Sequence, residues 1–186
     1  MGDGDIYVQN ILWNFIVPGI VMFILIKYFK NYFIDLHEIA YAYFIDKLCS
    51  RINQAMGWRK DKLFSELSSM ASRSKGPLVV LEIGVGSGSN FKYIPSGSEL
   101  ICVDPNRHFD KYLEKRKQEF RHVVFKEFII GSAADLSFIP NNSIDAVICT
   151  FVLCSVNDLD MSLNEVKRVL RKVSSTWYNM VCNMYE

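Results

Sequence analysis

The twelve residues Val79–Asn90, VVLEIGVGSGSN, constrain the fold of this chain more than any other stretch. An apolar run rich in β-branched residues carries an acid, Glu82, and then breaks into a loop with glycine at 84, 86 and 88. A short apolar run without alternation predicts a parallel strand covered on both faces. Glycines that follow such a strand let the backbone turn sharply and approach a ligand without a Cβ in the way. A loop of this kind, leaving a strand and opening a helix, is the usual setting for a nucleotide-like cofactor. The spacing departs from the dinucleotide fingerprint G-x-G-x-x-G: the third glycine comes one residue early, and Ser89 stands in its place.

A second strand, Glu99–Asp104, ends in an acid 20 residues after Gly84. That is the separation expected for a carboxylate that accepts from ribose hydroxyls, and a carboxylate can take both hydrogens of a vicinal diol. His108–Phe120 reads as a charged helix with Phe109, Leu113 and Phe120 for packing, and Val123–Ile130 as a third strand. Pro140–Ser143 is a turn, Ile144–Thr150 a fourth strand, and Leu159, Leu163, Val166, Val169 and Leu170 follow helical spacing. In open α/β sheets ligands sit outside the carboxyl ends of the strands, so residues 150–155 border the predicted site.

The N-terminal region reads differently. Residues 6–26 are 21 consecutive positions without charge, close to the roughly 20 apolar residues needed to cross a bilayer core. Pro18 is expected to kink any helix it interrupts. Lys27 and Lys30 follow the apolar block and none precedes it, which places the following domain on the cytosolic side. Tyr28, Phe29, Tyr32 and Phe33 alternate with them as at a membrane interface. We therefore read residues 1–33 as a membrane anchor, with lipid contact through 6–33. Residues 34–77 form an amphipathic helical connector that includes a basic aromatic patch, Trp58–Lys62, read as a solvated face, and a closing loop at 71–77.

Of 186 residues half are hydrophobic and the net charge is +1, so nothing suggests a nucleic-acid partner. Five cysteines without a CxxC pair read as reduced, mostly buried small hydrophobes, and three scattered histidines predict no metal site.

The pattern E-x-G-x-G-x-G resembles motif I of class I methyltransferases that use S-adenosyl-L-methionine. Leu63–Leu67, Leu81–Lys92, Cys102–Asn106 and Cys149–Val156 together resemble the membrane-bound methyltransferase-like family of microsomal alkyl-thiol S-methyltransferases. The resemblance implies a Rossmann-like α/β fold over residues 78–171 and transfer of a methyl group to a small thiol, at the endoplasmic reticulum or lipid-droplet surface. It implies cofactor contacts from Glu82, Gly84, Gly86, Gly88, Asp104, Pro105, Asn106, Ser132, Ala133 and Thr150. Phe151, Leu153 and Cys154 are candidates for lining the substrate pocket. It points to no catalytic base; His108 and His122 are the histidines near the domain's motifs. Members of that family have seven strands. Here four are legible and residues 172–186 diverge, so the expectation is an incomplete sheet in a truncated form, with strand four as an uncovered apolar edge. The alternative reading is a form that keeps cofactor or partner binding but is impaired in catalysis.

Overall fold

The computed structural model describes residues 12–171 and 180–181. The chain divides into two compact units, Met1–Tyr41 and Ala42–Glu186. After a π-helical turn at Leu12–Ile16, helix α1 runs without a break from Val17 to Arg73. Pro18 does not interrupt it. Proline lies in the first turn, where its missing N–H has no intrahelical partner to lose. Nor is there a break between residues 33 and 34, or a loop at Ala71: the helix ends at Arg73, and Ser74 donates back to Met70 O. In the first unit the apolar side chains face outward, with Trp13 64%, Phe15 74%, Phe23 69% and Ile26 62% exposed. Water does not stabilise such a surface, and its length and composition suit a membrane crossing.

The second unit is an α/β domain. Strands β1 (Val79–Ile83), β2 (Glu99–Asp104), β3 (Val124–Ile130), β4 (Ala146–Cys149) and β5 (Met180–Val181) form a parallel sheet in the order β3-β2-β1-β4-β5. Helix α2 spans Asp110–Glu119 and α3 spans Leu159–Val169. The order reverses at β1, which runs between β2 and β4. Strand β4 is not left bare as the sequence predicts: Val147 and Ile148 pair with Met180 and Val181. The rest of residues 172–186 lies outside the described residues. Strand β3 is the other edge; Lys126 and Glu127 on it are exposed, which discourages pairing with another sheet.

Alternation along the central strands divides the core in two. Val80, Leu100, Cys102, Ala146 and Ile148 pack on one face with Phe64 and Leu67 of α1 and Leu113 of α2. Leu81, Ile83, Val103 and Val147 pack on the other with Val166 and Val169 of α3. Leu159, expected to pack, is 46% exposed at the start of α3, where Asp158 caps the helix by accepting from Met161 N. Ile148 is fully buried, and truncating such a residue leaves a cavity. Ile148→Ala is expected to cost about 3 kcal/mol in a urea unfolding experiment. The edge substitution Val124→Ala should cost less than about 1 kcal/mol.

Candidate functional site

Because every strand runs the same way, the carboxyl ends of β1 to β4 share one end of the sheet. The glycine loop leaves β1 there. Gly84, Gly86 and Gly88 have φ of 63°, 51° and 71°, the left-handed region that a side chain disfavours. The loop does not open an α-helix, as expected; only a short 3-10 turn, Phe91–Tyr93, follows. The space beside the glycines is also used differently. A Cβ on Gly84 would run into Val152 Cγ2, and one on Gly88 would press on Arg116, Leu113 and Phe91. The missing side chains thus let the protein close on its own loop.

Asp104 holds that loop to β2. Its Oδ2 accepts from Gly86 N at 3.0 Å and its Oδ1 from Asn106 N at 2.9 Å, while Asn106 Oδ1 accepts from His108 N. The Asp104 carbonyl accepts from Gly131 N, which brings the loop after β3 into the same rim. The carboxylate is 6% exposed, and burial raises its pKa against the lowering effect of the two backbone N–H groups. Each carboxylate oxygen keeps a further lone pair, so Asp104 can still accept from a ligand diol.

A second centre lies under the loop at Asn90. Its Nδ2 donates to Glu82 Oε1 at 2.7 Å and to Thr150 Oγ1 at 2.9 Å, linking β1 to the end of β4. Its Oδ1 accepts from Lys60 Nζ at 2.7 Å, and Lys60 also donates to Asn53 Oδ1. Asn53 in turn donates to Ser89 O. Glu82 is 1% exposed and its Oε2 has no hydrogen-bond partner. Burial pushes its pKa up to about 7, against the lowering effects of the Asn90 bond and the Lys60 charge. Lys60 corrects the sequence reading: in a stretch expected to be a solvated face, it is 1% exposed, whereas Trp58 is 66% exposed with Arg59 stacked over its ring.

The remaining predicted residues divide. Ala133 is buried, whereas Ser132 and Pro105 are exposed on the rim, and Ser132 Oγ accepts from Ala134 N. Phe151 has φ of 60°, a strained conformation for an aromatic residue and one found at binding and catalytic loops. This turn aims Val152 at Gly84 and leaves Phe151 41% exposed. Leu153 is half-buried. Cys154 is exposed, and its thiol donates to Phe151 O. Cys102 and Cys149 are buried, as expected; Cys182 lies outside the described residues. His122 is exposed at the opposite end of the sheet, where its carbonyl accepts from Gly97 N before β2 begins. It cannot act at this rim.

An orphaned carboxylate oxygen inside a domain destabilises the protein that holds it. Glu82 binds a proton in the folded state that the unfolded chain releases near 4.5, so stability falls as pH rises from about 4.5 through about 7. Glu82→Gln should therefore raise the thermal midpoint by several degrees at pH 8 and leave it nearly unchanged at pH 4. Calorimetric melts across that range check this.

The methyltransferase domain model matches residues 81–175. Human thiol S-methyltransferase TMT1A is 40% identical over 131 residues, which is 70% of this chain and 53% of that protein. Human thiol S-methyltransferase TMT1B is 38% identical over the same shares. The chain thus spans about half the length of the curated relatives it matches. A crystal structure from Methanococcus maripaludis, of a protein described as S-adenosyl-L-methionine-dependent, superposes with a TM-score of 0.51 at 15% identity. It covers 67% of this chain and 57% of that one, a likeness of fold. With its parallel sheet, glycine loop and acid-ended second strand, this chain belongs to the methyltransferase domain family, in its S-adenosyl-L-methionine-dependent class I.

Proposed function

We propose that the domain transfers a methyl group from S-adenosyl-L-methionine to a small thiol at a membrane surface. The rim carries this reading: the glycine loop is clasped by Asp104, and Glu82 Oε2 lies beneath it as a buried acceptor without a partner. The thiol acceptor is supported by the 40% identity to a thiol S-methyltransferase. When bound, the cofactor supplies an electrophilic sulfonium methyl. The chain's own residues bind and orient. Asp104 offers its spare lone pairs to a ribose diol, Glu82 accepts from a charged donor, and Gly84, Gly86 and Gly88 shape the loop. Pro105, Asn106, Ser132 and Ala133 frame a base, and Thr150 holds Asn90. Phe151, Leu153 and Cys154 border the acceptor, which attacks as thiolate after losing its proton to solvent. Methyl transfer asks a protein mainly to hold two reactants in line.

The outward apolar face between Leu12 and Ile26, followed by Lys27, Lys30 and their aromatic neighbours, supports insertion in a membrane with the domain on the cytosolic side. The endoplasmic reticulum and the lipid droplet are the proposed locations. A second reading, cofactor binding without turnover, is favoured by the edge beside β4, where among the described residues β5 pairs at two positions, Met180 and Val181.

Calorimetric titration with S-adenosylhomocysteine should show binding, titration with NAD none, and Asp104→Ala should weaken the former at least about tenfold. Methylation of a simple alkyl thiol by the same preparation separates the two readings: binding without turnover favours the second, and no binding overturns both. Deleting residues 1–33 should release the protein from membranes on flotation; unchanged association would overturn the anchor.

A further inference from the structure

Lys60 is a buried cation whose Nζ donates to two amide oxygens, those of Asn53 and Asn90, each at 2.7 Å. Desolvating an ammonium is costly, and an apolar side chain would fill this helix face between Cys49 and Phe64 at less expense. What the ammonium adds is direction. It can only donate, so it holds the oxygen end of the Asn90 amide toward itself. The NH2 end is thereby turned to Glu82 Oε1 and Thr150 Oγ1. Without that cation only an ionised Glu82 would favour this orientation, because a protonated Glu82 could equally donate to the amide oxygen.

We propose that Lys60 is a positioning residue of the cofactor site: by fixing the Asn90 amide it commits Glu82 Oε1 to the protein. Oε2 is thereby left as the uncommitted acceptor for the ligand's charged donor. The inference rests on the cofactor reading above. It adds that a helix preceding the matched domain, residues 81–175, sets the charge state of the acid within it. The groups that face Glu82 are Lys60 and Cys49 from α1 and Cys102 and Asp104 from β2; Lys92, after the glycine loop, faces Lys60. Of these only Lys60 opposes the effect of burial on Glu82. Removing its charge should therefore raise the pH at which Glu82 ionises.

Two readouts on the full chain in detergent test this. One is the 13C carboxyl titration of Glu82 in the protein without ligand, assigned through Glu82→Gln. The other is the pH profile of S-adenosylhomocysteine affinity. Lys60→Gln and Lys60→Met should raise the Glu82 midpoint by about one pH unit. They should also weaken S-adenosylhomocysteine severalfold near pH 7, with the difference shrinking at pH 9. Lys60→Arg, which keeps the charge, should restore both towards the wild-type values. An unmoved Glu82 midpoint in a folded neutral variant overturns the proposal. So does failure of both neutral variants to fold, which would assign Lys60 to the core alone. If the wild type binds no S-adenosylhomocysteine while the midpoint moves, the cofactor reading fails and the Lys60–Glu82 linkage stands.

Discussion

The domain depends on a carboxylate placed where water cannot reach it. Glu82 sits on the strand at which the sheet order reverses, flanked by β2 and β4, and 1% exposed. A charge in that position is tolerated only with compensating groups, and the surrounding structure supplies them. Asn90 satisfies one oxygen, Lys60 holds Asn90, and Asn53 ties Lys60 to the glycine loop through Ser89. Three segments far apart in the chain, α1, β1 with its loop and the end of β4, meet on one side-chain amide. The arrangement is poor for stability and useful for binding, since the second oxygen of Glu82 is left over.

Around that centre the glycine loop is held from three sides. Asp104 takes Gly86 N, Arg116 of α2 donates to Ser87 O, and Val152 fills the place beside Gly84. The left-handed backbone at Phe151 is part of the same closure, because it turns the chain after β4 back over β1. A loop pinned in this way is preorganised, so ligand binding need not order it.

Much of this was legible in the sequence because it is local. Strands β1 and β2 fall where their apolar runs predict them, and the run for β4 brackets the strand; Asp104 ends β2 and meets the loop it was expected to serve. The failures share one cause. Lys60 reads as a surface charge because it stands in the charged run at residues 59–62, and its two asparagine partners lie 7 and 30 residues away. A signal was present: Cys49, Asn53, Lys60, Phe64 and Leu67 follow helical spacing, so the polar pair interrupts a core-facing stripe. The exposure of Cys154 was hidden for a similar reason, since its apolar neighbours in sequence say nothing about the turn after β4.

The amino-acid sequence by itself determined the parallel α/β class, the glycine loop, the acid that ends β2 and the outward apolar helix. Each depends on side-chain period or backbone freedom within a few residues. Only the tertiary structure decided which charges are buried together, which way the Asn90 amide faces, and what occupies the space beside Gly84. Those are properties of contacts between β1, β2, β4 and α1, and a buried polar group is defined by partners that chain order does not reveal.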